Sequence, residues 1–442
     1  MAPCDPGPRA TIAPMVDTDN VTGLLEGFDL RLSEHERALL DHARAWCDHN
    51  RVPLYLVGGS VRDLLLGLAH LDLDLAVEGD AVALATAIAA ALVAEVTTYS
   101  HFGTATVTYR DRSVDIARTR SERYAYPGTL PIVSPAPIED DMGRRDFTVN
   151  ALALGMAGGA ARRLIDPFDG RADLKGRLIR VLYGESFRDD PTRILRMARY
   201  TARLQFEVDP GTLAAGKKAA TFLSVLSPAR ITHEFERMFA EPRPEDILLL
   251  LRELHALSPI YPEFRLSEGF GESFQRLRAD GGTAPGVSEY LCALAAPWGR
   301  HEIQGLANAL ELRQEERAAL LDLRGAVAVL HELSSKPLDP ATVTHALSRF
   351  QPAAVRGAGA AAGGLTSRIV RRFVDEWRNV APLLRGDDVI SMGVPKGPPV
   401  GEVLKTLQAG RLRGELRNED DERALVRAWL AKSTRTGDRN ER

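Results

Sequence analysis

The hydrophobic period of this chain changes once, near residue 172, and that change limits the possible folds more than any other feature. Before it, PLYLVGG reads as a buried strand meeting two glycines, and LDLDLAVEG, TATVTYR and SVDIART read as further short strands around an Ala-rich helix at 80–94. After it, PTRILRMARYTARL, ITHEFERMF, EDILLLLRELHAL and ERAALLDLRGAVAVLHEL place apolar residues at helical spacing. The fold predicted is an α+β domain with a small mixed sheet, followed by an all-α remainder. The 442 residues allow two to four domains, at about 100–200 residues each. No internal repeat of fixed period argues for a solenoid.

Other boundaries are local. Residues 1–30 carry Pro, Gly, Asp and Thr without periodicity and are expected to be a loosely ordered extension. From Leu32 a helix is predicted behind a capping box of Ser33 and Glu36. AAVRGAGAAAGG, residues 353–364, reads as a flexible connection before a last helical unit, and STRTGDRNER as a frayed tail.

Charge and composition exclude some functions. A charged fraction of 26% and the lack of a long apolar run disfavour a membrane protein, so a cytoplasmic location without a membrane partner is expected. Cys4, Cys47 and Cys292 form no CxxC and are expected to be reduced thiols. The net charge of -4 argues against bulk coating of nucleic acid, but residues 171–240 hold 13 Lys+Arg against 8 Asp+Glu, a local excess of five.

Three constellations carry chemistry. In Val57-Gly58-Gly59-Ser60-Val61-Arg62-Asp63, two glycines after a strand let the backbone approach a polyanion and aim a helix N-terminus at it, although Gly-Gly alone would equally suit a plain turn. Asp72 and Asp74 alternate with Leu71, Leu73 and Leu75, so both carboxylates share one strand face. Like charges about 7 Å apart along a strand need a cation, and Mg²⁺ takes hard oxygen ligands together with substrate phosphates. Asp115 is a candidate third carboxylate, or else a solvated strand-end residue.

The second constellation is Arg144-Arg145-Asp146-Phe147-Thr148-Val149-Asn150, where adjacent arginines precede Asp146, and Asn150 four residues later shares its helical face, offering forked donors to phosphate or ribose oxygens, although alone this would equally suit a charged helix start. The third begins at Asp189-Asp190-Pro191-Thr192-Arg193 and continues through Arg196, Arg199 and Arg203 as a basic stripe. A charge run of this kind is usually a solvated face with intrahelical ion pairs, but because Ile194, Leu195, Ala198 and Ala202 already supply a packing face, that stripe is expected to be left for a nucleotide or RNA partner.

In this order, GGSVRD with DLD, RRDFTVNA, DPFDG and DDPTRILRMAR resemble the motifs of class II tRNA nucleotidyltransferases. These are the CCA-adding enzymes and their bacterial poly(A) polymerase relatives in the DNA polymerase β superfamily. The resemblance implies a nucleotidyltransferase head (31–171), a helical neck carrying base selection (172–245), a helical body (246–352) and a tRNA-binding tail (365–435). It implies template-independent addition of C and A to a tRNA 3′ end from CTP and ATP, with Mg²⁺ as cofactor; protein partners are not indicated.

By the same resemblance, Asp72 and Asp74 are the metal carboxylates, with Asp115 beside them in catalysis. Gly58, Gly59, Arg62 and Asp63 form the triphosphate and ribose environment, and Arg145, Asp146 and Asn150 read the ribose. Asp190 and Arg193 choose the base, with Arg196 and Arg199 in the same nucleotide-binding motif. A carboxylate accepting from the exocyclic amine of C or A, beside a guanidinium donating to the adjacent ring atom, would admit both bases and reject G and U. Asp189 stands where the family has Glu. The segment 119–143 matches a flexible loop that switches C to A addition, here at full length. PLLRGDDVISMGVPKGPPVGEVLKTLQ resembles the tRNA-gripping tail, with Gly393, Gly397 and Gly401 turning amides toward a phosphate near Lys396 and Lys405. Enzymes adding only CC, only A or poly(A) share these motifs. A non-catalytic RNA-binding module would be expected to lack the carboxylates, and a dinucleotide-binding oxidoreductase needs a GxGxxG that is absent.

Overall fold

The capping box predicted at Ser33 and Glu36 forms: Ser33 Oγ accepts from Glu36 N at 3.3 Å and Ser33 N donates to Glu36 Oε2 at 2.8 Å. It starts helix α2 (Glu34–Asn50), which buries Leu39, Leu40, Ala43 and Cys47. The structure is a computed structural model that describes residues 20–68, 73–99, 103–279, 283–335 and 337–437, with side chains to Lys432. Residues 1–19 of the expected N-terminal extension lie outside the described residues, but Val21–Arg31 is a helix, α1, capped by Asn20 and burying Leu24 and Phe28. Its low amphipathic contrast hid it: only two side chains on its eleven residues are buried.

The chain divides into two compact units, residues 1–226 with 253–259, and 227–252 with 260–442. The first holds a seven-stranded sheet. Its strands are β1 (Leu54–Val57), β2 (Asp74–Val77), β3 (Glu95–Tyr99), β4 (Thr104–Tyr109) and β5 (Arg112–Arg118), followed by β8 (Ala153–Ala157) and β9 (Leu164–Ile165). Their order is β3-β4-β5-β2-β1-β8-β9. Within this sheet, among the described residues, only β2 and β5 pair in parallel, which sets Asp74 directly opposite Asp115. β1 is buried along its whole length and turns at Gly58 into α3 (Gly59–Leu65). The Ala-rich segment forms α4 (Ala81–Leu92), capped by Asp80.

The segment 119–143 is ordered into regular structure. It folds as a hairpin, β6 (Arg120–Arg123) and β7 (Ile132–Pro135), followed by α5 (Ile138–Gly143). Its tip reaches the motif at 189: Gly128, at φ +71°, donates its amide to Asp189 O at 3.3 Å. Farther along, Gly170–Gly176 forms α6, Ser186–Asp189 a short helix α7, and Thr192–Leu204 the amphipathic helix α8.

Among the described residues, the second unit is helical. Here the Gly/Ala-rich segment departs from expectation, because Pro352–Ala362 is a buried helix rather than a flexible connection. A Cβ on Gly357 would lie 2.4 Å from Cys292 Cβ, and one on Gly359 would lie 2.6 Å from Val370 Cγ2. The glycines therefore permit close helix contact, and packing overrides their poor helix propensity. Of the segment expected as a frayed tail, residues 433–437 continue the helix Glu419–Gly437, and 438–442 lie outside the described residues. Cys47 and Cys292 are buried free thiols. No described helix is long and apolar enough to cross a membrane.

Candidate active site

Gly58 adopts φ +65°, a backbone conformation open mainly to glycine. Its amide donates to Leu152 O at 2.9 Å, which fixes the turn against the segment leading into β8. The space where a side chain would stand is taken: a Cβ here would lie 2.2 Å from Arg145 Nη1. Gly58 thus admits the guanidinium of a residue 87 positions later, which the sequence alone could not reveal.

Arg145 is held at one end by Asp141, with Nη2 to Oδ2 at 3.2 Å. Its Nε is buried without a hydrogen-bond partner, and burial lowers its proton affinity, partly offset by the Asp141 carboxylate. Arg145 also lines a cavity of about 360 Å³ together with Val57, Asp74, Tyr99, Thr106 and Asp115. Ser60 Oγ lies 3.4 Å from Asp74 Oδ2, and Thr106 Oγ1 donates to Asp115 Oδ1 at 2.6 Å. Among the described residues no group of three or more potential ligands gathers for a metal. Asp72, expected as a partner of Asp74, lies outside the described residues. Two hard carboxylates on paired strands, beside an incompletely bonded guanidinium, nonetheless suit a divalent cation carrying phosphates.

A chain of buried and half-buried side chains runs from Arg62 to Arg196. Arg62 is 2% exposed; its Nε donates to Asp63 Oδ1 at 2.7 Å and its Nη1 to Asn150 Oδ1 at 2.5 Å. Asn150 Nδ2 donates to Asp146 Oδ1 at 2.9 Å, and Asp146 Oδ2 accepts from Arg196 Nε at 2.8 Å. Burial alone would raise the Asp146 pKa, but the Arg196 guanidinium and the Asn150 amide hold it down at about 2. Asp146 and Asn150 are not on an α-helical face as expected; Phe147 is extended and Thr148–Asn150 is a 3-10 turn, which still brings the two together.

The basic stripe needs correction. Arg193 and Arg199 are buried, and Arg196 is paired to Asp146, so the stripe packs against its own protein and only Arg203 of the four is exposed. Arg193 Nη1 donates to Ser186 Oγ at 2.6 Å and to Tyr183 Oη at 3.3 Å, while Nη2 donates to Arg144 O at 2.6 Å. Asp190 Oδ1 accepts from Thr192 N and Oγ1. Asp189 Oδ2 accepts from Tyr183 Oη at 2.9 Å, linking it to the same cluster.

Several participants carried no motif. Glu122 on the hairpin binds Arg120, Arg144 and Tyr124, and Asp141 holds both Arg144 and Arg145. The helical spacing of Asp141 from these arginines was a readable signal. The pairing of Glu122 with Arg144 was not, because the two lie 22 residues apart.

Residues 54–180 match the poly A polymerase head domain, and residues 205–266 match a model described as "Probable RNA and SrmB- binding site of polymerase A". The CCA-adding enzyme of Geobacillus stearothermophilus is 30% identical over 405 residues, covering 87% of this chain and 94% of that one. The chain belongs to the tRNA nucleotidyltransferase family.

Other members differ in name and length. The CC-adding tRNA nucleotidyltransferase of Deinococcus radiodurans is 32% identical over 380 residues, covering 85% of this chain and 89% of its own length. The A-adding tRNA nucleotidyltransferase of Geobacter sulfurreducens is 30% identical over 409 residues, but the chain spans only 45% of it. The Thermotoga maritima CCA-adding enzyme, solved in complex with tRNA, superposes with a TM-score of 0.72 at 25% identity, covering 93% of this chain and 98% of that one. Members of the family generally use a divalent metal ion. Lys396 and Lys405 are exposed in the second unit. Gly397, at φ +114°, precedes the helix Pro398–Leu412, and Gly401 lies inside that helix. Pro398 and Pro399 have no N–H, and Val400 N donates to Gly397 O. Fewer amides face outward here than the three glycines suggested.

Proposed function

We propose that this chain adds C and A to the 3′ end of tRNA from CTP and ATP without a template, releasing pyrophosphate, in the cytoplasm. The proposed organisation is head, neck, body and tail, with the tail as the tRNA grip. The reading rests on one juxtaposition: Asp74 and Asp115 share a cavity with Arg145 at the Gly58 turn. Mg²⁺ held by Asp72 and Asp74, with Asp115 alongside, would activate the RNA 3′-hydroxyl and steady the leaving pyrophosphate.

The chain's own groups do the rest. The turn at Gly58 and Gly59 brings backbone amides close to the triphosphate, and the buried Nε of Arg145 supplies a donor awaiting an acceptor. Arg62, Asn150, Asp146 and Arg196 act from behind, holding the cradle and α8 in register. Asp190 and Arg193 read the base. A guanidinium has five N–H donors; the three bonds of Arg193 to Tyr183, Ser186 and Arg144 fix its plane and leave two for a base edge. The hydroxyl then attacks the α-phosphate in line as the pyrophosphate departs.

The test is to incubate the protein and Mg²⁺ with tRNA lacking its CCA end, supplying CTP, ATP or both, and to sequence the products. Complete CCA is expected. A product ending in CC alone, in a single A, or in an A tract would assign the partial or poly(A) activities, which use the same residues. Asp74→Ala should lower addition by at least about 10³-fold with tRNA affinity nearly unchanged. Near-normal turnover in that variant would remove the carboxylate from the chemistry, and wild-type protein that binds tRNA without extending it would make the chain an RNA-binding module.

A further inference from the structure

Helix α8 and the Gly58 turn are joined by a closed circuit of side chains, and one member of it has no place in the reaction described above. From Arg62 the hydrogen bonds run through Asn150 and Asp146 to Arg196, one helical turn before Tyr200. The Tyr200 ring closes the path: Arg62 Cζ lies 5.2 Å from its centroid and Arg196 Cζ lies 6.0 Å from it. Arg199 Cζ is 4.7 Å from the same centroid, and Phe147 meets the ring edge-to-face at 5.9 Å. No hydrogen bond from the Tyr200 hydroxyl is found among the described residues. What the residue contributes is the negative face of its ring, to which guanidinium groups are drawn most strongly where water is scarce.

We propose that Tyr200 is a positioning residue for nucleotide selection, its ring clamping Arg62 and Arg196 so that the base-reading end of α8 keeps its angle to the triphosphate cradle. The inference rests on the selecting role proposed for Asp190 and Arg193. Without the ring, Arg62 keeps its bonds to Asp63 and Asn150 but loses the surface that sets its height, and the shift passes through Asp146 to Arg196. The consequence falls on α8, where an error of a fraction of an ångström at Arg193 blurs the distinction between an exocyclic amine and a carbonyl. Loss of the ring should therefore harm discrimination more than it harms turnover.

The experiment measures equilibrium binding of ATP, CTP, UTP and GTP to the full-length chain with Mg²⁺, and separately kcat and KM for each nucleotide on tRNA lacking CCA. Tyr200→Phe should retain selectivity within about twofold, because the ring face is preserved. Tyr200→Leu should narrow the preference for ATP and CTP over UTP and GTP by about five- to tenfold, mainly through KM. Should Tyr200→Leu fail to fold, phenylalanine carrying one to three fluorines at position 200 weakens the ring face in steps at nearly constant shape; selectivity should fall with each step. Unchanged selectivity in Tyr200→Leu or along the fluorine series overturns the proposal, as does a Tyr200→Phe variant as impaired as Tyr200→Leu. The binding arm does not depend on extension of RNA. Wild-type protein that selects ATP and CTP yet extends no RNA would overturn the proposed reaction and leave the role of Tyr200 to be decided by binding.

Discussion

A single methyl group at position 58 would meet two obstacles. Gly58→Ala must hold φ +65° and ψ -125°, where an L side chain is strained by about 1–3 kcal/mol, and it must displace Arg145 Nη1, now 2.2 Å from where the Cβ would stand. We expect a loss of stability of that order in urea unfolding, and a fall of about 10²-fold in kcat/KM from misplacing the guanidinium; wild-type kcat/KM would show that Arg145 plays no part. Asp146 offers a test through pH. Its carboxyl is held at about 2 in the folded chain against 3.8 as the ordinary value, so it stabilises the fold by about 2 kcal/mol. Because the folded pKa is the lower one, that contribution is whole above about pH 4 and is withdrawn as pH falls toward 2. Asp146→Asn should therefore be less stable than wild type by about 2 kcal/mol at pH 7, with the gap narrowing below pH 4. A gap constant from pH 7 to pH 3 would mean that Asp146 is not held by Arg196.

Among the elements, the helix Pro352–Ala362 separates propensity from packing. Gly→Ala within a helix normally stabilises by about 1 kcal/mol. At Gly357 the added Cβ would lie 2.4 Å from Cys292 Cβ and 2.8 Å from Ala293 N, on the neighbouring helix Val287–Ala295. Gly357→Ala is expected to lower stability by about 1–3 kcal/mol, read as a lower urea midpoint at unchanged slope; a rise would mean the helices are free to separate. The same contact explains why this segment is not legible as a helix in the sequence. Its Gly and Ala content carries no sign of what packs against it, whereas the strands at 54–57 and 112–118 announced themselves by apolar content and alternation. Helix α2 was legible because its cap is local, and α1 was not, because it buries only Leu24 and Phe28. At the site, the glycine turn and the RRDF motif were legible as residue types at short spacing. Their joining through Arg62 and Asn150, 88 residues apart, exists only in the fold. The arginine spacing on α8 is legible as a stripe, but nothing in the sequence says that Asp146 and Tyr183 occupy it.

Over the whole molecule, charge decides how an RNA polyanion can be held by a chain of net charge -4. The overall field repels nucleic acid weakly, so affinity must come from local clusters that displace counterions from phosphates. Residues 365–442 carry 16 Lys+Arg against 12 Asp+Glu, and Lys396 and Lys405 within them are exposed. If both lysines touch phosphates, replacing them with alanine removes about two ion-displacing contacts. The slope of log K against log salt should then flatten by about 1.5–2 units, measured by filter binding of tRNA between 50 and 300 mM KCl. At saturating tRNA the kcat for nucleotide addition should stay within about twofold, because neither lysine belongs to the head that carries Asp74 and Asp115. An unchanged slope would move the RNA grip to other basic residues, and a matching fall in kcat would mean that the tail also sets the position of the 3′ end.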